Sequence, residues 1–152
     1  MLFAPPDVDA AYDAWGANCG PCSLAAVLGV SVEAVRPFMD SGWERRRYTN
    51  LMHMYAALRN AGAKVSPTPG TEFPAHGLAF IQWKGPWDSH VLRAYQHTHW
   101  LGIDGEMVYD LNADASWVKR DLWKKAMPVL IRDEMKGATG DWYVRKGIEV
   151  HR

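Results

Sequence analysis

Residues 15–23, WGANCGPCS, contain both cysteines of the chain, three positions apart, at the start of a helix-forming run over residues 23–28. The letters Cys-Gly-Pro-Cys are typical of a redox pair, in which one sulfur attacks a disulfide and the other resolves it. The same letters, preceded by Asn18, also suit a nucleophilic cysteine mounted at a helix start. A disulfide between two cysteines only three positions apart would enclose a loop too short to stabilise the fold. Reactivity, metal binding or burial is left as their role.

The position of Cys19 favours a reactive thiol. A thiol attacks as its thiolate, and the N-terminus of a helix lowers a thiol pKa through its free N–H groups and its positive dipole end. Gly20 and Pro21 suit a chain that turns sharply from loop into helix and leaves the sulfur accessible. Cys22 lies one turn further along, and three roles stay open for it: a resolving thiol, a small buried residue or the nucleophile itself.

A thioredoxin-like interpretation requires a buried strand immediately before the Cys-X-X-Cys. Residues 7–17, DVDAAYDAWGA, are acidic and alanine-rich, and they favour a helix or a loop. Asn18 also stands where thioredoxins carry Trp. Thiol–disulfide oxidoreduction is therefore kept as the second alternative function.

The composition predicts one ordinary globular domain over residues 1–152. Of the 152 residues, 48% are hydrophobic, and 17 basic side chains balance 17 acidic ones. A net charge of zero argues against a nucleic-acid partner, and we expect the run at 44–47, Glu-Arg-Arg-Arg, to be a solvated loop. The first fifteen residues have no basic n-region and no long apolar stretch, which predicts a cytoplasmic protein without a membrane partner.

The first half of the chain has the pattern of helices. Gly29 is suited to end the helix that carries the cysteines, and Ser31 to cap a short helix that runs through residue 39. A third helix is expected to begin at Thr49 or Asn50.

The second half changes to the period of strands. Strands are predicted at residues 77–83, 91–103, 107–112 and 142–150, with a helix at 121–132 that Pro128 kinks or splits. Helices followed by an antiparallel sheet define an α+β domain.

One turn signal sets the geometry of the second half. The Asp-Gly dipeptide at 104–105 predicts a type I′ hairpin in which the numbers of opposed residues sum to 209. His99 then faces Asp110, and His97 faces Asn112, on the same side of the ribbon. Opposed Cβ atoms lie roughly 4.5–5.5 Å apart, so a carboxylate at 110 would hold the tautomer of the imidazole and stabilise its protonated form.

Two other interpretations of these side chains stay open. A histidine that faces an aspartate on a strand is often a structural hydrogen bond. His97, His99 and Asp110 also offer ligands to a metal ion, because histidines at i and i+2 on one strand face grip a single ion.

The combination of Asn18-Cys19-Gly20-Pro21, the run at 23–28, and His99 and Asp110 on successive strands resembles the papain-like cysteine peptidases. The nearest similarity is to the bacterial branch that cleaves leader peptides from bacteriocins. The resemblance implies a Cys-bearing helix packed on a C-terminal antiparallel sheet, and a covalent acyl-enzyme.

Carried over to this chain, the resemblance makes Cys19 the nucleophile, His99 the general base and Asp110 the orienting group. Asn112 is the substitute for Asp110 if the hairpin slips by two. The implied activity is that of a peptidase or amidase without a cofactor, acting on a peptide or amide substrate.

The chain departs from that family at the oxyanion hole. The family places Gln six residues before the cysteine, and here Asp13 stands at that position. We therefore expect the hole to come from the Cys19 backbone N–H together with Asn18, Gln82 or another donor.

The loss of this Gln also keeps an alternative function in view. An inactive interaction module of the same fold, such as a phage or mobile-element protein, would bind a host partner through a Trp-rich surface. The chain has eight tryptophans, most of them expected in the core.

Overall fold

The computed structural model describes residues 2–69, 71–89 and 97–152 and confirms an α+β fold. Within these ranges six strands form one sheet in the order β1-β6-β2-β3-β4-β5, and all neighbours are antiparallel. The strands are β1 (Lys64–Pro67), β2 (His76–Trp83), β3 (Thr98–Asp104), β4 (Met107–Asp110), β5 (Ser116–Lys119) and β6 (Trp142–His151). The α-helices are α1 (Val8–Trp15), α2 (Cys19–Leu28), α3 (Val32–Val35), α4 (Trp43–Arg46), α5 (Leu51–Asn60) and α6 (Arg120–Glu134).

The predicted helix boundaries in the first half are confirmed at their caps. Gly29 ends α2 in the left-handed conformation, with φ of 72°. The Ser31 hydroxyl accepts the N–H of Ala34 at the start of α3. Asn50 and His53 form a reciprocal capping box at the start of α5.

The second half contains both confirmed and unexpected elements. Strands β2, β4 and β6 match the predictions closely, and β3 covers the described part of the strand predicted at 91–103, whose residues 91–96 lie outside the described residues. Strands β1 and β5 are not indicated by the sequence pattern. Pro128 is buried inside α6, which runs unbroken over 15 residues, so the expected split is wrong.

The turn between β3 and β4 lies one residue later than predicted, at residues 105–106. Asp104 pairs with Met107, so the numbers of opposed residues sum to 211 rather than 209. Asp104 stays in the strand because it also pairs with His76 of β2, and its carboxylate accepts a hydrogen bond of 2.6 Å from Arg152.

This register corrects both predicted cross-strand pairs. A sum of 211 sets His99 against Asn112, and Asp110 against Leu101, so neither His99 with Asp110 nor His97 with Asn112 is directly opposed. An even change in the sum keeps every side chain on its predicted face. His99 and Asp110 are therefore diagonal neighbours on one face of the pair.

Helices cover the sheet on both faces. Helices α1 to α5 lie on one face, over a core that includes Leu24, Met54 and Trp100. Helix α6 covers the other face through a cluster centred on Trp123. Residues 20–27 of α2 are all buried, so this helix is enclosed by the rest of the domain.

Most of the tryptophans lie in the core of the domain. All eight lie in the described ranges; six are buried, and the other two, Trp117 and Trp142, are half-buried. Most of the tryptophans are therefore in the core, as the sequence predicts.

The basic run at 44–47 is also corrected. Most of it lies in the helical turn α4, where Arg46 donates hydrogen bonds of 2.6 and 2.9 Å to the carboxylate of Asp40. Glu44 accepts a hydrogen bond of 2.8 Å from Arg36.

Taken singly, no helix in the described ranges has the length and apolar character that crossing a bilayer requires. One bent pair, Cys19–Leu28 with Val32–Phe38, meets that requirement by length and composition.

Candidate active site

Cys19 is the first residue of α2, as the sequence predicts. Asn18 before it has extended backbone, and the amide nitrogen of its side chain donates a hydrogen bond of 2.7 Å to the Arg47 carbonyl. This contact ties the start of α2 to the loop after α4. Cys19 is partly exposed, while the eight residues that follow it in the helix, 20–27, are buried.

The N-terminal turn of α2 is fastened to β3 where the β3–β4 pairing stops. That pairing extends over residues 102–104 of β3. Beyond it, the Ser23 hydroxyl donates a hydrogen bond of 3.1 Å to the Trp100 carbonyl, and the backbone N–H of Trp100 donates a hydrogen bond to the Cys19 sulfur. Helix α2 thus takes over the backbone groups that β4 leaves unpaired, and this brings Cys19 beside His99.

Cys19, His99 and Asp110 form a continuous chain of hydrogen bonds. His99 Nε2 lies 2.7 Å from Asp110 Oδ1, and both residues are buried. His99 also makes a side-chain hydrogen bond with Cys19. Since Nε2 is engaged by Asp110, the nitrogen that meets the sulfur is Nδ1.

Two further groups hold the Asp110 carboxylate. The indole Nε1 of Trp123 donates to Asp110 Oδ2 at 2.7 Å, and the backbone N–H of Asn112 donates to Oδ1 at 2.8 Å. The sequence pattern indicates no role for Trp123 at the site and makes Asn112 only a substitute for Asp110. Trp123 carries no local signal, because it comes from α6 and its relation to Asp110 exists only after the helix packs on the sheet.

Electrostatics in this chain favour an ion pair of thiolate and imidazolium. Burial alone raises the pKa of Cys19, but the charge of His99 and its hydrogen bond outweigh burial and hold the thiol pKa below its ordinary value. Burial alone lowers the pKa of His99, yet the Cys19 thiolate and the Asp110 carboxylate raise it. Burial also acts to raise the pKa of Asp110, and the His99 charge reverses this.

Cys22 has the opposite environment. It is fully buried, and burial together with the nearby Cys19 charge raises the pKa of Cys22 to about 12. Both cysteines are free thiols. The segment before them forms α1 and not the strand that a thioredoxin-like site requires, so the surroundings of Cys22 are those of a core residue.

The three residues considered as metal ligands do not converge. The ring of His97 stacks on Trp87, with centroids 3.7 Å apart, whereas His99 turns to Cys19 and Asp110. Over residues 2–69, 71–89 and 97–152, no group of three or more His, Cys, Asp or Glu is arranged to hold a metal ion.

Of the two side chains considered as donors to the oxyanion, Asn18 lies beside Cys19 and Gln82 is directed elsewhere. The Gln82 amide nitrogen is buried and donates to the carbonyls of Trp83 and His97, at 3.0 and 3.2 Å, so it is not directed at Cys19. Asp13 is exposed on α1. Asn18 lies beside Cys19, where the start of α2 directs backbone N–H groups outward.

Cys19 opens into a groove of about 890 Å³ between the helices and the sheet. The helical side consists of Asn18, Cys19 and residues 48–52. The sheet side is formed by Phe80, Thr98, Trp100, Arg145 and Lys146. A thiol at the junction of two walls is positioned to meet a substrate lying in the groove.

Comparisons of the chain with protein-family models, with curated proteins and with solved structures gave no match. The function is therefore inferred from the site and its chemistry.

Proposed function

We propose that this protein is a thiol-dependent hydrolase of papain-like architecture that cleaves a peptide or amide bond through a covalent acyl-enzyme. The observation that carries the proposal is the hydrogen-bonded chain from Cys19 through His99 to Asp110, with the sulfur open to a groove. A nucleophile, a base in contact with it and a third group that orients the base are the parts of a catalytic triad.

In the first half of the reaction, the Cys19 thiolate attacks the substrate carbonyl carbon. A C–S bond forms, and the carbonyl electron pair moves to oxygen to give a tetrahedral oxyanion. When the oxyanion collapses, the C–N bond breaks and the leaving amine takes the proton from His99 Nδ1. The product is a thioester on Cys19 with a neutral imidazole beside it.

In the second half, water attacks the thioester carbonyl and gives its proton to His99. The C–S bond breaks, the acid product leaves, and the thiolate–imidazolium pair is restored. Asp110 keeps its charge throughout and holds Nε2, which leaves Nδ1 for both proton transfers. A free thiol is required, and the reducing cytoplasm is the compartment we propose.

The papain-like part of the proposal is supported by the layout of the domain. A helix that begins with the cysteine packs on an antiparallel sheet, and the histidine and the acid lie on successive strands in the chain order Cys, His, Asp.

The test is covalent labelling by an electrophilic peptide, followed by mass spectrometry of the intact protein. We expect one adduct on the parent protein and on Cys22→Ala, and none on Cys19→Ala. His99→Ala should label far more slowly, whereas the matched control His97→Ala should behave as the parent.

Other outcomes would point to different functions. An adduct that survives Cys19→Ala but disappears in Cys22→Ala would contradict the assigned nucleophile. A disulfide between the two sulfurs without an acyl or alkyl adduct would support the redox alternative. A Cys19 thiol no more reactive than that of the unfolded chain would support a non-catalytic module.

A further inference from the structure

Two consecutive basic residues face the groove because β6 contains a bulge. Phe80 of β2 pairs with Lys146, but its neighbour Ile81 pairs with Val144, so Arg145 is an extra residue in β6. In a regular strand, consecutive side chains point to opposite faces. The bulge therefore accounts for the presence of both Arg145 and Lys146 on the wall of the groove.

These two cations give the groove a local charge that the whole protein lacks. The chain has no net charge, yet the charged side chains lining this groove in the described ranges are Arg145 and Lys146, with no Asp or Glu among them. Arg145 donates a hydrogen bond of 2.9 Å to Gln82 Oε1, which fixes the direction of its side chain. A positive groove wall attracts an anionic group on a ligand.

The rest of the groove is suited to apolar side chains. Phe80 and Trp100 form a stacked pair, with centroids 4.4 Å apart, on the sheet side. On the helical side, Tyr48 and Met52 are 57% and 72% exposed, so both side chains are free to contact an occupant of the groove. Phe80 and Trp100 are already buried, so the free energy that an occupant gains by removing apolar surface from water comes mainly from Tyr48 and Met52.

We propose that the groove selects acidic peptides, in which a carboxylate lies close to an apolar side chain near the scissile bond. This inference rests on the proposed function and names the substrate class of the same site. Either an Asp or Glu side chain or the α-carboxylate of a peptide C-terminus supplies the same anionic chemistry.

The test compares matched peptidyl fluoromethyl ketones that carry Glu, Gln or Lys at one position next to Leu or Phe. A fourth probe places a free α-carboxylate at that distance, with its amide as the control. We measure the second-order rate of inactivation with the full-length chain, and the rate of alkylation by iodoacetamide serves as a charge-neutral reference.

We expect Glu or the free carboxylate to be preferred over its neutral counterpart by about fivefold, and less at high salt. Lys146→Glu should abolish or invert the preference, measured as the ratio of the Glu and Gln probe rates after each is divided by the same variant's rate of alkylation by iodoacetamide. The matched control Lys125→Glu, an exposed position on α6, makes the same charge change and should keep the preference. Preference for the side-chain or the terminal carboxylate identifies the source.

The outcomes separate this inference from the proposed function. Equal rates with Glu and Gln probes, and no preference for the free carboxylate, would overturn the acidic-substrate inference while the hydrolase remains. The absence of any adduct on Cys19 with every probe would instead overturn the proposed function.

A separate observation concerns Thr49, whose hydroxyl is buried at the groove. The residue is 7% exposed, and among the described residues Thr49 Oγ1 has no hydrogen-bond partner. It lies against the start of α2, because a Cβ built on Gly20 would come within 2.4 Å of this oxygen. The Thr49 carbonyl accepts a hydrogen bond of 2.7 Å from Trp100 Nε1, which holds the residue in place.

From this placement we infer that Thr49 Oγ1 and the Cys19 backbone N–H are the donors to the oxyanion. A buried, unpartnered hydroxyl costs free energy unless it has a role that supplies a partner. An oxygen that becomes negative beside Cys19 supplies one once the Thr49 side chain turns its hydroxyl from this enclosed position towards the groove, and the hydroxyl keeps its proton throughout. This assignment fills the position that the family's Gln leaves open and also rests on the proposed function.

The test uses two reactions of the same sulfur. Acylation by p-nitrophenyl acetate passes through an oxyanion, whereas alkylation by iodoacetamide does not. Thr49→Val should slow the burst of p-nitrophenolate by about tenfold to a hundredfold, with alkylation within about twofold of the parent. Thr49→Ser should restore the burst, and Thr49→Ala is the second variant if Val disturbs the fold. Equal losses in both reactions, or an unchanged burst, would overturn the inference.

Discussion

His99 and Asp110 meet across a diagonal of the β3–β4 pair, with Nε2 and Oδ1 2.7 Å apart, although neither residue faces the other in the strand register. Side chains on such a diagonal are within reach only when they are long and correctly turned. Trp123 and the backbone N–H of Asn112 donate hydrogen bonds to the Asp110 carboxylate and hold it in the orientation that meets the His99 imidazole. The orientation of His99 therefore depends on α6 as well as on the hairpin.

Replacing Asp110 by Asn should lower the reactivity of Cys19 without removing it. The substitution deletes the negative charge that stabilises the His99 imidazolium and places an amide where three donors converge. We expect the rate of labelling by a peptidyl electrophile at neutral pH to fall by about tenfold to a hundredfold. The free energy of unfolding should fall by about 1–3 kcal/mol, because buried donors lose their acceptor.

The Asp110 prediction has a control on the neighbouring strand β3, on the opposite face of the sheet. Asp104→Asn changes the same side-chain type at the far end of β3, where its partner is Arg152. It should leave the labelling rate unchanged. Equal effects of the two substitutions would show that Asp110 has no special relation to the thiol.

The pH dependence of alkylation follows from the lowered pKa of Cys19. A lowered thiol pKa means that the thiolate is present below the ordinary titration near pH 8.5, so the rate of alkylation by iodoacetamide should reach its plateau at lower pH than in the urea-unfolded chain. His99→Gln removes the cation that opposes burial, so the midpoint should move above that of the unfolded chain. His97→Gln, with the same change two residues away, should keep the parent profile.

Cys22 should not react with alkylating reagents in the folded protein. Its sulfur is buried and its pKa is raised to about 12, so both access and thiolate formation oppose reaction. Intact mass after iodoacetamide at pH 8 should show one adduct on the native chain and two in urea. Two adducts on the native chain at similar rates would contradict this environment.

The sequence predicts those features of the fold that depend on residues close together in the chain. Caps at Gly29, Ser31 and Asn50 set the helix boundaries, and each depends on a few adjacent atoms. The turn after Asp104 fails as a prediction because that residue is held in β3 by contacts with β2 and Arg152, which no short window of sequence contains. The face of His99 and Asp110 is predicted correctly, since the error in register is an even one.

Other features depend on distant segments. Trp123 reaches Asp110 only because α6 packs on the sheet, and the groove exists because residues 48–52 lie opposite β6. Gly147 lies inside β6, two residues after the bulge, but a glycine in a strand does not tell which residue is the extra one or which side chains the bulge turns towards the groove. Such relations require the packed structure.

Trp123→Phe tests whether the indole nitrogen has a role beyond packing. Phe keeps an aromatic ring in the core but removes the donor to Asp110 Oδ2. We expect the midpoint of the alkylation pH profile to shift and the labelling rate to fall several-fold. Trp83→Phe, another buried tryptophan in the same cluster, should lower thermal stability without moving the profile. Similar profiles for both variants would assign Trp123 to packing alone.

Gly20→Ala should disturb the site from the helix side. A Cβ at this position would lie 2.4 Å from Thr49 Oγ1 and 2.9 Å from Thr49 Cβ, so Thr49 or the first turn of α2 must shift. Because that turn carries Cys19 and its backbone N–H, we expect the burst with p-nitrophenyl acetate to fall by about tenfold or more, since small misplacements at a reacting centre have large effects on rate.

The matched control is Gly29→Ala at the other end of α2, where nothing lies within 4 Å of a built Cβ but φ is 72°. This variant should have lower thermal stability and an unchanged burst per folded molecule. Measuring both quantities on both variants separates the two effects, and a Gly20→Ala protein with an unchanged burst would show that the contact between Thr49 and the start of α2 does not position the thiol.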